Sequence, residues 1–464
     1  MTAESSRTGS ALAAQPYAGR MPARVGDMAV ETHGIAPIPP GNRYGTARRL
    51  FTVWFAPQVN MTVVFTGTLA IVLGLGFWLG LLAMVIGTVV GCLAVGYLST
   101  WGPRTGTAQL PNARMAFGGT VAVVAVIQWL SSIAWDGLVG LFGGEALAEL
   151  LGMPFWLAVV IVLAAQGVVG VLGYEVIHRV QAVMTVVLIV TFAIFAVKLV
   201  TGHQVVTAPT LAGADLSGAF VLEVTIALSL AISWASYASD YSRYLPVNTS
   251  RTAVFGYTFA GLAVAYIAVQ AIGVAGAEVL TDQTAQGIRS IMGGGVLGAL
   301  ALIVVALSSV ASNAMNDYSG SLALQTVGVR VRRPVSAVVV VVMAFALIMW
   351  LHSGDMAGRF QGVLLFVSYW IPAFVAIVAI DWRYRSAGRE EVNPAEESTG
   401  RADAWVALGV FLVAFAAAVP FMHTNLVVGP VAAALHGADL AYFVNFLVAG
   451  ALYGAYRIWR MRRS

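Results

Sequence analysis

The segment WFAPQVN (Trp54–Asn60) sets the architecture of this chain, because it interrupts an apolar stretch with a proline and two amides. A second polar interruption, SWASYASD (Ser233–Asp240), directly follows the apolar run Ile226–Ile232. A backbone that leaves the helix inside a bilayer must be buried in protein or line a cavity, since lipid cannot satisfy its hydrogen bonds. Paired interruptions of this kind are the best sequence pointer to the central site of a transporter. The sequence therefore predicts two broken membrane helices.

The composition excludes an ordinary water-soluble enzyme. Of the 464 residues, 59% are hydrophobic and only 10% are charged, whereas soluble domains carry about 25% charged residues. The chain is therefore predicted to be a polytopic, all-α membrane protein.

The number of spans follows from the length of the apolar runs. A hydrocarbon core about 30 Å thick needs roughly 20 apolar residues in a helix. Twelve such runs are present, at about 50–73, 77–99, 118–147, 154–173, 179–201, 218–238, 252–277, 293–326, 334–351, 359–380, 403–422 and 438–458. The most polar connection, residues 381–402, separates ten predicted spans from a final pair.

The basic residues predict the orientation. With the N-terminus in the cytoplasm, 22 of the 25 Lys and Arg residues lie inside, and only Lys198, Arg289 and Arg359 lie outside. This asymmetry is the positive-inside rule. It predicts a multi-pass protein of the plasma membrane with both termini cytoplasmic. Residues 1–46 are rich in Arg, Pro and Ala without an apolar core, and we expect them to form a disordered cytoplasmic tail.

Several classes of function are excluded. One cysteine, Cys92, and six scattered histidines give no spacing typical of a metal site, so no metal is expected beyond a possible Na⁺. The net charge of +4 follows the topology rule and indicates no nucleic-acid partner. No Gly-x-x-x-x-Gly-Lys motif for ATP is present, and the histidines lie in the tail, at span ends or in loops. We therefore expect no enzyme, no cofactor and no obligate protein partner, only the lipid bilayer and a small substrate.

Polar and aromatic side chains inside the spans are the candidate site residues. Asp136 lies in an apolar segment beside Trp135, and a carboxylate there is costly unless it faces a cavity or a partner. Asn313 and Asn316 are three residues apart and share a helical face. Their amides offer both donors and acceptors, which suits the edge of a planar heterocycle. Trp135 and Trp234 could stack on both faces of such a ring.

The segment ASDYSRYLP (Ala238–Pro246) resembles the signature that follows span 6 in the purine–cytosine permease branch of the nucleobase–cation symporter-1 family. Three shorter stretches agree with that family in the same order: WFA (Trp54–Ala56), WGPR (Trp101–Arg104) and NAMN (Asn313–Asn316). GYE with IHR, within residues 173–179, is also similar.

This resemblance implies a leucine-transporter-type fold of two inverted five-helix repeats plus two extra helices. The first repeat would cover residues 47–201 and the second residues 202–380. Residues 381–402 would form a cytoplasmic linker, and residues 403–464 would hold the two extra spans and a basic tail. Spans 1 and 6 would be unwound at mid-membrane.

The resemblance also implies site residues. Asn60, Trp135, Ser233, Trp234 and Asn316 would line the substrate site, to which the residues themselves add Asp136 and Asn313. A sodium site would use the carbonyls of Ala56 and Val59 with hydroxyls of span 8. Aligned from Asn316, those hydroxyl positions fall on Val310 and Ala311, while Ser308, Ser309 and Ser312 lie nearby but off register. The coupling ion, Na⁺ or H⁺, therefore stays open.

Together these patterns predict a secondary active transporter. It would import a nucleobase or related planar heterocycle by cation symport through alternating access. One alternative keeps the fold but carries an amino acid or another small zwitterion, for which two facing tryptophans are a poor fit. An alternative of another class is a non-transporting membrane sensor, which would need a sizeable soluble output domain.

Overall fold

The computed structural model describes residues 34–171, 174–281, 283–328, 333–387, 389, 391–394 and 396–463. Within these ranges the chain is helical and contains no β-strand, only an isolated bridge between His423 and Val428. Residues 1–33 of the predicted tail lie outside the described residues, and so does Gly173 of the GYE stretch.

The helices of the first half begin after a short 3₁₀ turn at Pro40–Asn42. They are α1 (Arg49–Phe55), α2 (Met61–Val72), α3 (Gly76–Ser99), α4 (Gly102–Thr105), α5 (Gln109–Asn112), α6 (Arg114–Phe117), α7 (Val121–Leu151), α8 (Phe155–Val171) and α9 (Tyr174–Gly202). The second half contains α10 (Gly213–Ile232), α11 (Ala238–Ser242), α12 (Arg251–Ala275), α13 (Ala277–Leu280), α14 (Thr284–Ile291), α15 (Gly295–Val327), α16 (Arg333–His352), α17 (Met356–Phe366), α18 (Ile371–Arg385), α19 (Arg401–Ala418), α20 (Pro430–Ala434) and α21 (Ala441–Met461).

Eight helical stretches of the described chain are long and apolar enough to cross a bilayer. They are Gly76–Thr105, Gln109–Leu151, Arg179–Gly202, Gly213–Ser242, Arg251–Ala275, Gly295–Val327, Met356–Arg385 and Arg401–Phe421. A ninth is the pair Arg49–Gln58 and Met61–Val72, which is bent by 58° at its break. Phe155–Val169 and Val338–His352 are shorter apolar helices on the fourth and ninth predicted spans. The multi-pass helical architecture is confirmed, and the count of twelve stays a prediction.

Glycines let the helices approach closely at the centre of the molecule. α2 packs on α12 where a Cβ on Gly273 would lie 1.9 Å from the Val64 carbonyl oxygen. On the same contact, a Cβ on Gly67 would lie 2.1 Å from the carbonyl oxygen of Gln270. Small residues at such contacts are the usual means by which membrane helices associate, since lipid gives no hydrophobic drive. α7 and α15 form the most extensive contact of the molecule.

The expectation of a disordered tail is wrong for residues 34–46. Ile38 is buried and its N–H donates to the Gly106 carbonyl over 2.8 Å. Arg43 donates to the Ile38 and Pro103 carbonyls and forms a 3.0 Å ion pair with Glu391. Burial lowers the pKa of the Arg43 guanidinium, and Glu391 opposes that shift. The contacts are mostly hydrogen bonds to backbone, which composition does not reveal.

Candidate functional site

The first predicted break occurs where Pro57 ends the helix. α1 stops at Phe55, a 3₁₀ turn covers Ala56–Gln58, and α2 begins at Met61. Asn60 caps α2, because its Oδ1 accepts the Val63 N–H over 3.2 Å. Its Nδ2 donates to the Pro57 carbonyl over 2.5 Å. One asparagine therefore satisfies backbone groups on both sides of the break.

The second predicted break separates α10 from α11 by a 3₁₀ turn at Ser233–Tyr237. The Trp234 indole Nε1 donates to the Tyr266 hydroxyl over 2.7 Å and to Gln58 Oε1 over 3.2 Å. The second bond joins the two breaks directly, although 176 residues separate its partners. Ser233 donates to the Leu230 carbonyl over 2.8 Å and so bonds within its own segment.

α15 runs beside both breaks and links them to α7. The Ser312 hydroxyl donates to the Pro57 carbonyl and accepts from Asn60 Nδ2 over 3.2 Å. At the next residue, Asn313 Nδ2 donates to the Asp136 backbone carbonyl over 3.1 Å and to Gln166 Oε1 over 2.7 Å. These two bonds use both protons of the Asn313 amide.

Asn316 completes this amide pair. Its Nδ2 donates to Asn313 Oδ1 over 3.2 Å. Protein groups therefore engage the Asn313 carbonyl oxygen as well as both of its amide protons. Because Asn316 has a second amide proton and its own carbonyl oxygen, it retains capacity for a ligand. Of these two residues on one helical face, Asn316 can therefore contact a ligand, whereas Asn313 is engaged by protein groups.

Asp136 is buried, with 1% of its surface exposed. Among the described residues, neither of its carboxyl oxygens has a hydrogen-bond partner of normal geometry. The groups that act on it electrostatically are the Asp317 carboxyl and the Asn316 amide, both on α15. Two carboxyl groups thus meet between α7 and α15, in an environment where an isolated charge is costly.

The two candidate tryptophans are nearly buried and come from different helices. Trp135 is 9% exposed and Trp234 is 8% exposed. Trp234 meets Trp54 edge to face, with ring centroids 5.6 Å apart, and also Tyr237 at 5.6 Å. Within the described chain, Trp135 and Trp234 form no ring pair with each other. Trp234 lies in the second break itself, whereas Trp135 lies on α7.

The residues predicted for a cation site are not all brought together. The Ala56 carbonyl accepts the Val59 N–H over 3.1 Å, within the break itself. Of the three serines, Ser312 contacts this break. Ser308 donates to Val305 of its own helix over 2.8 Å. Ser309 lies against α7, where a Cβ on Gly143 would be 2.7 Å from the Ser309 Cβ.

Several residues of the site were not predicted. Gln58 accepts from Trp234 while its own Nε2 is buried and has no partner among the described residues. Gln128 donates to the Tyr237 hydroxyl, and Gln166 holds Asn313. All three are amides within apolar runs, so the signal used for Asp136 would have found them. The described residues contain no cluster of His, Cys, Asp or Glu suited to a metal.

Comparison with known proteins places this site in a family context. The family model described as permease for cytosine/purines, uracil, thiamine and allantoin matches residues 37–445. The Bacillus subtilis protein YxlA is 26% identical over 443 residues, which cover 92% of this chain and 95% of YxlA. The purine-cytosine permease fcyB of Emericella nidulans is 25% identical over 457 residues, covering 92% of this chain and 88% of fcyB.

The fold is shared with a solved structure. Mhp1, a nucleobase-cation-symport-1 family transporter in a closed conformation with bromovinylhydantoin bound, superposes with a TM-score of 0.73. The identity is 17%, and the match covers 93% of this chain and 96% of that one. At this identity the likeness establishes the fold, while the chemistry of the site rests on this chain's own residues.

Proposed function

The chain belongs to the family of permeases for cytosine/purines, uracil, thiamine and allantoin, and from that premise we propose that it imports a nucleobase or related planar heterocycle by cation symport. It is a membrane permease and not an enzyme. The observation that carries the substrate class is the bond from Trp234 to Gln58, which joins two helix breaks beside a set of amides.

The residues around the breaks suit a flat, hydrogen-bonding ring. Trp135 and Trp234 would stack on its two faces, since offset stacking contributes roughly 1 kcal/mol per contact beyond area burial. Gln58 and Asn316 would read its edge, and Ser233 would border it. Asn60, whose amide bonds to Pro57, Ser312 and Val63, would hold the first break beside the ring. Asn313 has its amide fully used by protein groups, so it would position Asn316. Purine and cytosine, the substrates named for fcyB, are rings of this kind.

Movement of the substrate would follow alternating access. We infer twelve helices arranged as two inverted five-helix repeats plus two, with the breaks of spans 1 and 6 at the centre. The repeats would rock about the bound ring and open the site first to one side and then to the other. The distribution of Arg residues supports cytoplasmic termini in the plasma membrane.

The Asp136–Asp317 pair favours H⁺ as the coupling ion. Two neighbouring buried carboxyl groups repel each other when both are ionised, so the pair can hold a proton between them. A Na⁺ ion would instead use the carbonyls of Ala56 and Val59 with a hydroxyl of α15. Ser312 is the serine that contacts this break, which leaves such a site short of oxygen ligands.

A ligand panel tests the substrate class. The purified protein would be melted with nucleobases, hydantoins, vitamin pyrimidines and amino acids, in sodium and in potassium buffer. A ligand that binds the folded state raises the melting temperature by mass action. We expect a shift with a planar heterocycle that is equal in both buffers. Stabilisation by amino acids alone would overturn the heterocycle assignment, and a larger shift in sodium would favour Na⁺ coupling.

Tryptophan variants test the site. Trp135→Ala and Trp234→Ala should each abolish saturable uptake of the stabilising heterocycle by proteoliposomes, because each removes one stacking face. Trp78→Ala is the matched control, since Trp78 is 67% exposed and lies at the start of α3, beyond the end of α2 that is remote from the first break. Unchanged uptake in both site variants would contradict the stacking site, provided that they insert and purify like the control.

A further inference from the structure

Glu223 is a buried carboxyl group that the mechanism proposed above does not use. It lies in the first half of α10 and is 0% exposed. Among the described residues, neither of its carboxyl oxygens has a hydrogen-bond partner. An ionised side chain is costly inside a membrane span, and the few ionisable residues found there usually serve transport. Glu223 is therefore a candidate for proton binding.

The side chains packed around this part of α10 are apolar. Ala219 and Ala227 lie one turn before and one turn after Glu223 on the same helical face. Both alanines belong to a cluster that includes Ala70 of α2 and Met84 of α3. Within the described chain, no ionisable group acts electrostatically on the Glu223 carboxyl group. Its contact with water therefore decides whether it can ionise.

The ionisable residues of the neighbouring elements have other positions or partners. α2 carries none, and on α3, on α17 and in segment 436–442 they are Cys92, Tyr97, Arg359, His436, Asp439 and Tyr442. Asp439 lies behind the opposite face of α10, where its backbone carbonyl accepts from Thr225 over 2.7 Å. Arg359 donates to the Trp350 carbonyl at the end of α16. On α10 itself, Asp215 pairs with His436 at the exposed start of the helix.

Water can reach Glu223 when α10 moves away from the helices beside it. A Cβ on Gly87 of α3 would lie 2.2 Å from the carbonyl oxygen of Val224, the next residue after Glu223. Two turns further along this contact, a Cβ on Gly91 would lie 2.6 Å from the Ala231 Cβ. Helices packed this closely leave no space for water between them. Hydration of the carboxyl group therefore requires α10 to separate from α2 and α3.

The same face of α10 leads to the proposed substrate site. Trp234 follows Glu223 by eleven residues, which is about three helical turns and roughly 16 Å along the axis. In the orientation proposed above, α10 begins on the outer side, so Glu223 lies between that side and Trp234. One separation of α10 from α2 would therefore hydrate Glu223 and open a path toward Trp234.

We propose that Glu223 is a proton-binding gate residue for the outer side, an inference that rests on the alternating access proposed above. Its carboxyl group holds a proton while α10 is packed against α2 and α3. When the outer side opens, the O–H bond breaks and the proton passes to water, and closure takes a proton back from the same side. The proton shared by Asp136 and Asp317, by contrast, would cross the membrane with the substrate.

The test measures the opening of α10 without any substrate. Ala219→Cys, in a Cys92→Ala background, places a thiol one turn from Glu223 at a position that is 8% exposed. Its rate of reaction with a membrane-impermeant thiol reagent would be measured on detergent-solubilised protein from about pH 5 to pH 8. At each pH the rate is compared with that of the same protein carrying Glu223→Gln, whose amide cannot ionise. Glu278→Gln is the matched control, since Glu278 is an exposed carboxyl group in the first turn of α13.

The labelling rate with Glu223 present should rise with pH relative to that of Glu223→Gln. The ratio should grow by up to about tenfold per pH unit, the limit for release of one proton. Ionisation of the thiol affects both proteins, and a neighbouring carboxylate would only slow it, so it cannot produce this rise. The control should follow the protein with Glu223 at every pH.

A ratio that stays constant with pH would overturn the gate, and so would a control that behaves like Glu223→Gln. Absence of labelling at pH 8 would do the same, because an ionised Glu223 must reach water. The ligand panel described above decides the transported class separately. A protein that binds a heterocycle but shows a constant ratio would therefore refute the role of Glu223 alone.

Discussion

At the scale of single residues, a substitution of Gln58 tests whether this side chain contacts the substrate. Its Oε1 orients Trp234, and its buried Nε2 has no partner in the described chain. Gln58→Leu removes both the orienting acceptor and a donor available to the ring edge. Trp234 keeps its bond to Tyr266, so the fold should persist. We expect the KM for uptake to rise roughly tenfold, the value of one hydrogen bond.

Gln270→Leu controls for loss of a buried amide. Gln270 donates to Thr88 over 3.1 Å on the α12–α3 contact and to the Tyr266 backbone carbonyl within its own helix. Gln270→Leu should lower thermal stability while leaving KM within about twofold of wild type, because neither bond involves a residue of the two breaks. A KM change as large in Gln270→Leu as in Gln58→Leu would contradict a direct role for Gln58.

The Asp136–Asp317 pair carries the prediction about coupling. Asp136→Asn and Asp317→Asn each remove one carboxyl group and keep the volume of the side chain. Uptake driven by a pH gradient should fall to the level of passive exchange, while substrate still binds, because the remaining carboxyl group has no second carboxyl group with which to share a proton. The measurement is uptake into proteoliposomes with and without an imposed gradient, together with ligand-induced thermal shift.

Asp215→Asn supplies the control for the coupling prediction, since Asp215 is 68% exposed and pairs with His436. It should transport like wild type. Gradient-driven uptake that survives in both pair variants would rule out proton transfer through these carboxyl groups. It would favour Na⁺ as the coupling ion.

The sequence could identify site residues but not their partners. Pro57 and Asn60 predicted a break because a proline and an amide inside an apolar run have few other uses. No local pattern could tell Ser312, which contacts that break, from Ser308, which bonds within its own helix. The difference depends on which face of α15 meets α1, and that is set by packing of the whole bundle. Gln58, by contrast, is an amide at the same break and could have been predicted from the sequence. Only its bond to Trp234 depends on the packing of the bundle.

At the scale of the helices, the contact of α2 with α12 holds the half-helix that follows the first break. Gly273→Ala places a methyl group 1.9 Å from the Val64 carbonyl oxygen, so the helices must separate. We expect a loss of about 1–3 kcal/mol, typical of overpacking, seen as a lower melting temperature in detergent. Gly256→Ala on the same helix meets nothing within 4 Å and should melt like wild type.

A melting temperature that falls equally in the two glycine variants would show that the α2–α12 contact is not the cause, since helix propensity alone favours alanine over glycine.

Helix ends illustrate a limit of the sequence. The apolar run predicted at 118–147, for example, forms α7 (Val121–Leu151), whose two ends lie three and four residues later than predicted. Apolar length predicts that a segment enters the membrane, whereas its end depends on neighbouring helices and capping groups.

At the scale of the whole molecule, the fold does not determine which substrate is transported. The superposition on Mhp1 accounts for the architecture, and residues between the breaks must account for the substrate.

Alternating access can be tested with the cysteine chemistry of this chain. Cys92 is the sole cysteine and is fully buried, so wild type should resist a membrane-impermeant thiol reagent. Ser233→Cys adds a thiol at the second break, where Ser233 is 6% exposed. In oriented vesicles this thiol should react from each side in turn, and saturating substrate should slow labelling several-fold by covering the site. Labelling from one side only, at a rate that substrate does not change, would be incompatible with transport through this centre. Labelling of wild type would show that Cys92 becomes exposed as the helices move, and the experiment would then use a Cys92→Ala background.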